Sequence, residues 1–321
     1  MVKLFRQHGP IMVLPSLLLA LLMAFLSYPN IELSRNWPFF FMIEWNWPVW
    51  SSVASSLILL TISATVINAL ANSFELNGRR NSFAGAYFIL LASMSDISAE
   101  RSRHLIFILL FLLVLYFCFS IFRKLKKNAL LFNIGFVTGL LVMMDLNWLP
   151  MILFAFIAVN SLNFLKFNEL LLFLVSMAIP LFYEYLYLSI VESPPENFHW
   201  IGSLDYAWFW PLGLYQWLSM ALLLGLVFFQ VAGMPRLISS LRIGPKKFLW
   251  VVQYLLGFLL IVVLIYPGIR SHIFLYAGLP IAIIIGSKVS HAKNKQADLF
   301  WFYLLLLLFI LLTILKAMPT A

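Results

Sequence analysis

The feature that most restricts this chain is its succession of long apolar runs, separated by short stretches that hold nearly all of its charge. Coiled as an α-helix, a run of about 20 residues matches the hydrocarbon core of a bilayer. Inside lipid, every backbone N–H and C=O must be satisfied within the segment, so such runs become helices. The predicted architecture is all-α: a polytopic transmembrane helix bundle of about 11 spans, with the N-terminus cytoplasmic. The expected spans are 11–28, 51–71, 83–95, 104–122, 129–144, 148–165, 169–191, 208–232, 249–266, 272–288 and 299–316. Composition agrees, because 63% of the 321 residues are hydrophobic and only 10% are charged. A soluble domain of this length needs far more charge to cover its surface. One membrane domain is expected over residues 1–321. The first run follows Lys3 and Arg6 without a small-x-small cleavage site, so it reads as an uncleaved helix. The run 83–95 is short, and whether it crosses decides the sign of every later loop.

The basic residues orient this bundle. On the expected cytoplasmic side lie Lys3, Arg6, Arg79, Arg80, Arg123, Lys124, Lys126, Lys127, Lys166, Arg236, Arg242, Lys246, Lys247, Lys288, Lys293 and Lys295, sixteen of the 21 Lys and Arg. The remaining five are Arg35, Arg101, Arg103, Arg270 and Lys316. Positive residues are retained on the cytoplasmic side, and reversing the chain would invert the ratio. The net charge of +9 therefore reads as this loop excess, with no nucleic-acid partner expected. Acidic residues run the other way. Glu32, Glu44, Asp96, Glu100, Asp145, Glu184, Glu192, Glu196 and Asp205 fall outside or near the outer end of a span, against Glu75, Glu169 and Asp298 inside.

The stretch from Phe122 to Val191 shows this asymmetry in miniature. A basic cluster opens it, one span climbs to Asp145, a second returns to Lys166, and a third leaves from Glu169 carrying Glu184. At about 1.5 Å per residue, Asp145 and Glu184 reach a similar depth beneath the outer surface. An ionisable group in lipid costs ~3 kcal/mol or more unless it faces protein or water. Asp145 and Glu184, with Asp96 and Glu100, are the candidate polar pocket. Arg35, Arg101, Arg103 and Arg270 are the candidate phosphate-binding cations, because a guanidinium matches phosphate oxygens two at a time. Gly135 and Gly139 give a G-x-x-x-G spacing that allows close helix approach, and Ser52, Ala54, Ser55, Ser56, Ser63 and Ala64 give another small-residue face. Asn133, Asn160 and Asn163 are expected to bond between helices.

Other chemistries lack their signatures. The histidines His8, His104, His199, His272 and His291 form no H-x-x-H or H-E-x-x-H pattern, and Cys118 is the single cysteine. No metal site and no cofactor is expected. No phosphate-binding P-loop, nucleophile elbow or dinucleotide fingerprint is present.

The segments Phe132-Asn133-Ile134-Gly135-Phe136-Val137-Thr138-Gly139-Leu140, Asn147-Trp148-Leu149-Pro150, Phe167-Asn168-Glu169 and Ala178-Ile179-Pro180-Leu181-Phe182-Tyr183 resemble a family of polytopic inner-membrane proteins of unknown function from Bacteroidota. That resemblance implies a multi-pass protein of a bacterial inner membrane and supplies no activity. A fainter likeness is to the GT-C class of lipid-linked sugar transferases, through the Gly-x-x-x-Gly-Leu helix, the short Pro-containing outer turn and the aliphatic return helix. It implies a catalytic acid in the first outer loop, where Glu32 and Glu44 stand. The expected function is cell-envelope biogenesis with a lipid-linked phosphate substrate at the outer leaflet. Two other readings fit the same residues. One is a non-catalytic subunit among other membrane subunits. The other is a transporter or flippase using Asn68, Asn133, Asn160, Gln216, Gln230 and Gln253.

Overall fold

The computed structural model describes residues 49–77, 81–95, 101–123, 127–190, 214–266, 272–291 and 296–317. Among these the chain is all-helical: α1 (Val49–Ser73), α2 (Phe83–Ser93), α3 (Arg101–Arg123), α4 (Lys127–Met144), α5 (Pro150–Leu162), α6 (Phe167–Ile190), α7 (Leu214–Ser240), α8 (Ile243–Ile265), α9 (Ile273–His291) and α10 (Gln296–Ala317). Seven of the described helices, α1, α3, α4, α6, α7, α8 and α9, are long and apolar enough to cross a membrane. Helices α2 and α5 are shorter, as is the apolar part of α10, Tyr303–Leu312. The expected spans 11–28 and most of 208–232 differ in fate: the first lies outside the described residues, whereas the second appears as α7 and continues to Ser240.

Contacts divide the chain into two compact units, with boundaries inside α3 after Ile108 and inside α8 after Val252. The first unit is centred on α2 and α9. All 11 residues of α2 are buried, and 89% of the α9 span is buried. A helix that is apolar all round belongs away from water, among other helices or in lipid, and these two lie among other helices. The two run antiparallel, with Gly278 against Leu91 at one end and Gly286 against Ala84 at the other. A methyl group on Gly286 would lie 3.0 Å from Ala84 Cα, so these backbones nearly touch. Helix α1 lies on the other side of α2, where Gly85 faces the Ala64 carbonyl and Asn68. Of the small-residue face predicted for this run, Ala64 takes part in this contact.

The start of α2 shows why asparagine recurs here. The first N–H groups of a helix lack internal partners. Ser82 makes no side-chain cap; instead Asn81 Oδ1 accepts Phe83 N–H (3.2 Å) and Asn68 Oδ1, from α1, accepts Gly85 N–H (2.7 Å). Helix α1 ends at a left-handed residue, Glu75 (φ 57°), which turns Leu76 N–H back to the Ala71 carbonyl at 2.9 Å. The Leu76 carbonyl then accepts the Ser287 hydroxyl of α9 at 2.6 Å. Hydroxyls within α1 satisfy themselves, Thr61 on the Leu57 carbonyl and Ser63 on the Leu59 carbonyl.

Chain direction follows from these contacts. Ser55 near the start of α1 bonds Ser102 at the start of α3, at 3.0 Å. Both helices therefore start at the same end of the unit, with α2 returning the chain between them. Helix α7 runs beside α9 and carries Pro235 inside it. Lys288 of α9 donates to the carbonyls of Gln230 (2.6 Å) and Phe229 (3.4 Å) just before that proline, and Gln230 Nε2 donates to the Ile281 carbonyl. A neighbouring helix thus supports the backbone around Pro235. Arg236, expected in a loop, consequently lies within a helix, and Lys246 and Lys247 fall in the first turns of α8.

The second unit is centred on α4 and α6, which run parallel. A methyl on Gly135 would collide with the Phe173 carbonyl and the Ser176 hydroxyl, and one on Gly139 with the Met177 carbonyl. The G-x-x-x-G spacing is therefore a helix contact. At the start of the pair, Lys127 bonds Glu169 (2.6 Å) and the Phe164 carbonyl (2.9 Å). Helix α5 returns the chain between them, after a short 3-10 turn, Leu146–Trp148, whose fully buried Trp148 lies edge-on to Phe111. Phe154 of α5 meets Phe258 of α8 in the same edge-on manner.

Candidate functional site

The predicted site residues fall into three groups. Glu32, Glu44, Arg35, Asp96, Glu100 and Arg270 lie outside the described residues. Arg101 opens α3, and Arg103 stands in its first turn, half-buried, with its guanidinium 5.8 Å from the Phe107 ring centre. Asp145 and Glu184 belong to the second unit.

Asp145 follows α4 directly, and its Oδ1 accepts Asn147 N–H at 3.0 Å, so it shapes the short turn. Glu184 is half-buried on α6, between Tyr183 and Tyr185, which are exposed. The register set by Gly135 on Phe173 and Ser176 and by Gly139 on Met177, carried forward along two parallel helices, brings Asp145 level with Tyr183 and Glu184. At the other end of the same pair stands the Lys127–Glu169 bridge. Of the three asparagines expected to bridge helices, Asn160 bonds locally to Leu165 N–H (3.4 Å), and Asn163 ends α5. Asn68 and Gln230, considered for a transport path, are engaged with the backbones of neighbouring helices.

A second constellation lies in the first unit, at the end where α1 and α3 start. His104 in the first turn of α3 and His272 directly before α9 stack with ring centres 4.0 Å apart and planes tilted by 38°. His104 Nδ1 is hydrogen-bonded to the Tyr276 hydroxyl, from the first turn of α9. His104 is 7% exposed, His272 2% and Tyr276 0%, so the three form a nearly dry polar cluster. Around it stand Phe107, in ring contact with His104, the half-exposed Arg103, and the Ser55–Ser102 bond. His104 Nε2 is buried and has no hydrogen-bond partner among the described residues. Leaving such an atom unsatisfied costs about 1–3 kcal/mol, which makes it a point that a ligand could complete.

Sequence reasoning named both histidines and did not bring them together. One signal was available: each opens an apolar run expected to start on the same face of the membrane. What remained hidden was that the first turns of α3 and α9 meet, through residues 172 positions apart in the chain. Among the described residues no three His, Cys, Asp or Glu side chains gather in a way that could hold a metal ion. Cys118 is buried within α3. Comparison of the chain with protein-family models, with curated proteins and with solved structures finds no match in any of the three.

Proposed function

We propose that this chain is a multi-span protein of a bacterial inner membrane that handles a lipid-linked, phosphate-bearing substrate at the outer leaflet, in the service of cell-envelope assembly. The observation that supports it most is the His104–His272–Tyr276 cluster with Arg103 beside it in sequence, at one end of an otherwise apolar helix group. The positive-inside bias assigns that end to the outside, opposite Lys288 at the far end of α9. A cation and a buried imidazole with one unsatisfied nitrogen are the equipment for an anionic headgroup whose tail stays in lipid. In this reading Arg103 supplies charge and His104 a directed hydrogen bond. Asp145 and Glu184 form a second polar level, in the other unit. The outer-loop carboxylates Glu32 and Glu44 are the proposed source of a catalytic acid, on the strength of the GT-C likeness alone.

The test is lipid identification. The full chain is extracted with its surrounding lipid, and bound lipids are measured by native mass spectrometry for wild type, Arg103→Ala and Lys127→Ala. The reading expects a phosphate-bearing lipid enriched on wild type and on Lys127→Ala and depleted several-fold on Arg103→Ala. Equal retention by all three, or no enriched lipid, contradicts it. Glu32→Gln and Glu44→Gln proteins with unchanged function would remove the proposed catalytic acid.

A further inference from the structure

Resting on that reading, we infer that His104 acts as a hydrogen-bond donor, presenting Nε2–H to an anionic oxygen at the N-terminal turn of α9, and that Tyr276 is the positioning residue that fixes this tautomer. The position follows from contacts. The His104 ring is stacked on His272, the residue directly before α9, and bonded to Tyr276 in its first turn. His104 therefore lies beside the first turn of a 19-residue helix, the end whose dipole favours negative charge. Helix α3 also begins here, three residues before His104.

The direction of the proton follows from chemistry. Tyr276 is fully buried, so its hydroxyl hydrogen requires an acceptor, and His104 Nδ1 is within hydrogen-bond reach. A phenol is a better donor than a neutral imidazole N–H, and Nδ1 then accepts. A neutral imidazole that accepts at one nitrogen carries its hydrogen on the other. The buried, unpartnered Nε2 is consequently an N–H, suited to an oxygen of a phosphate and unsuited to a metal ion or to taking up a substrate proton. The ligand class is a phosphate oxyanion, from a lipid headgroup or from free phosphate. Arg103, one residue away on α3, adds the compensating charge.

The experiment is nitrogen-15 NMR of the full chain, labelled at histidine, in phosphatidylcholine nanodiscs. The signal that disappears in His104→Gln identifies the residue. The expected spectrum shows a neutral ring with hydrogen on Nε2, and Nε2 shifts when inorganic phosphate, phosphatidylglycerol or a long-chain isoprenyl phosphate is added. A shift with inorganic phosphate alone supports the anion site and removes the lipid-linked reading above. Hydrogen on Nδ1, or no shift with any of the three probes, overturns the inference. Tyr276→Phe, checked for unchanged helical content, should mix the two tautomers and weaken phosphate binding about tenfold. A single unmixed tautomer and unchanged affinity in that variant would remove Tyr276 from the role.

Discussion

Both units use glycine to bring helices into backbone contact, and they differ in how far the paired helices are enclosed. In the first, α2 and α9 are antiparallel and enclosed, and 89% of the α9 span is buried. In the second, α4 and α6 are parallel, and only 17% of the α6 span is buried. Phe182 and Tyr183 of α6 are 58% and 67% exposed. In water this would be a sticky face, but lipid tails are as apolar as the side chains, so exposure carries no comparable cost. The difference teaches that burial in such a chain reports how many neighbours a helix has. Polar groups follow the same rule. The enclosed pair holds a dry histidine cluster at its end, whereas the open pair keeps its charged residues near the ends of its helices and at the level of Asp145.

Substitutions can break this comparison, and the largest effect is expected at Gly139. Any side chain there meets the Met177 backbone, which has no flexible end to move aside. Gly139→Leu should separate α4 from α6, costing about 3 kcal/mol or more and most of the folded yield. Thermal unfolding in detergent is the check. Gly257, with nothing within 4 Å of an added methyl, is the control: Gly257→Ala should be neutral or gain up to ~1 kcal/mol. If the two behave alike, the α4–α6 contact is not what holds the second unit.

The first unit adds polar capping to its glycine contacts. Asn68→Leu leaves the buried Gly85 N–H without its acceptor and should cost about 1–3 kcal/mol. Hydrogen exchange should then show the start of α2 opening first. A smaller loss, about 1 kcal/mol or less, is expected for Lys127→Ala, since its bridge to Glu169 is partly solvated at 16% exposure on each side. The double variant with Glu169→Gln should add little further loss, which a double-mutant cycle measures. Least of all, Glu75→Gly should stabilise by up to ~1 kcal/mol, because glycine adopts the left-handed turn after α1 without steric cost.

Much of this architecture is legible without coordinates. Apolar run lengths anticipate most helices, and the Gly135–Gly139 spacing anticipates the α4–α6 contact. Even the doubtful short run 83–95 is a helix, and the Ser55–Ser102 bond shows that the chain between α1 and α3 returns from one end of the unit to the other. Helix ends were harder to read. Pro235 and Arg236 look like a stop, yet α7 continues because Lys288 and Ile281 of another helix engage its backbone and Gln230. That support comes from far along the chain and leaves no local trace. The same reason hid the site: His104 and His272 each look like an ordinary helix-end histidine until the first turn of α3 meets the start of α9. Asp145 and Glu184 were placed at one depth by counting residues, and the glycine register between α4 and α6 leads to the same level.

The functional account stands on which end of the first unit faces outward. Cys118 is the single cysteine and is buried, so a Cys118→Ala background suits single-cysteine labelling in intact cells. A membrane-impermeant thiol reagent should modify Arg103→Cys from outside and leave Lys288→Cys unmodified until the membrane is opened. Labelling of Lys288→Cys from outside, with Arg103→Cys protected, would place the histidine cluster on the cytoplasmic side and contradict the account.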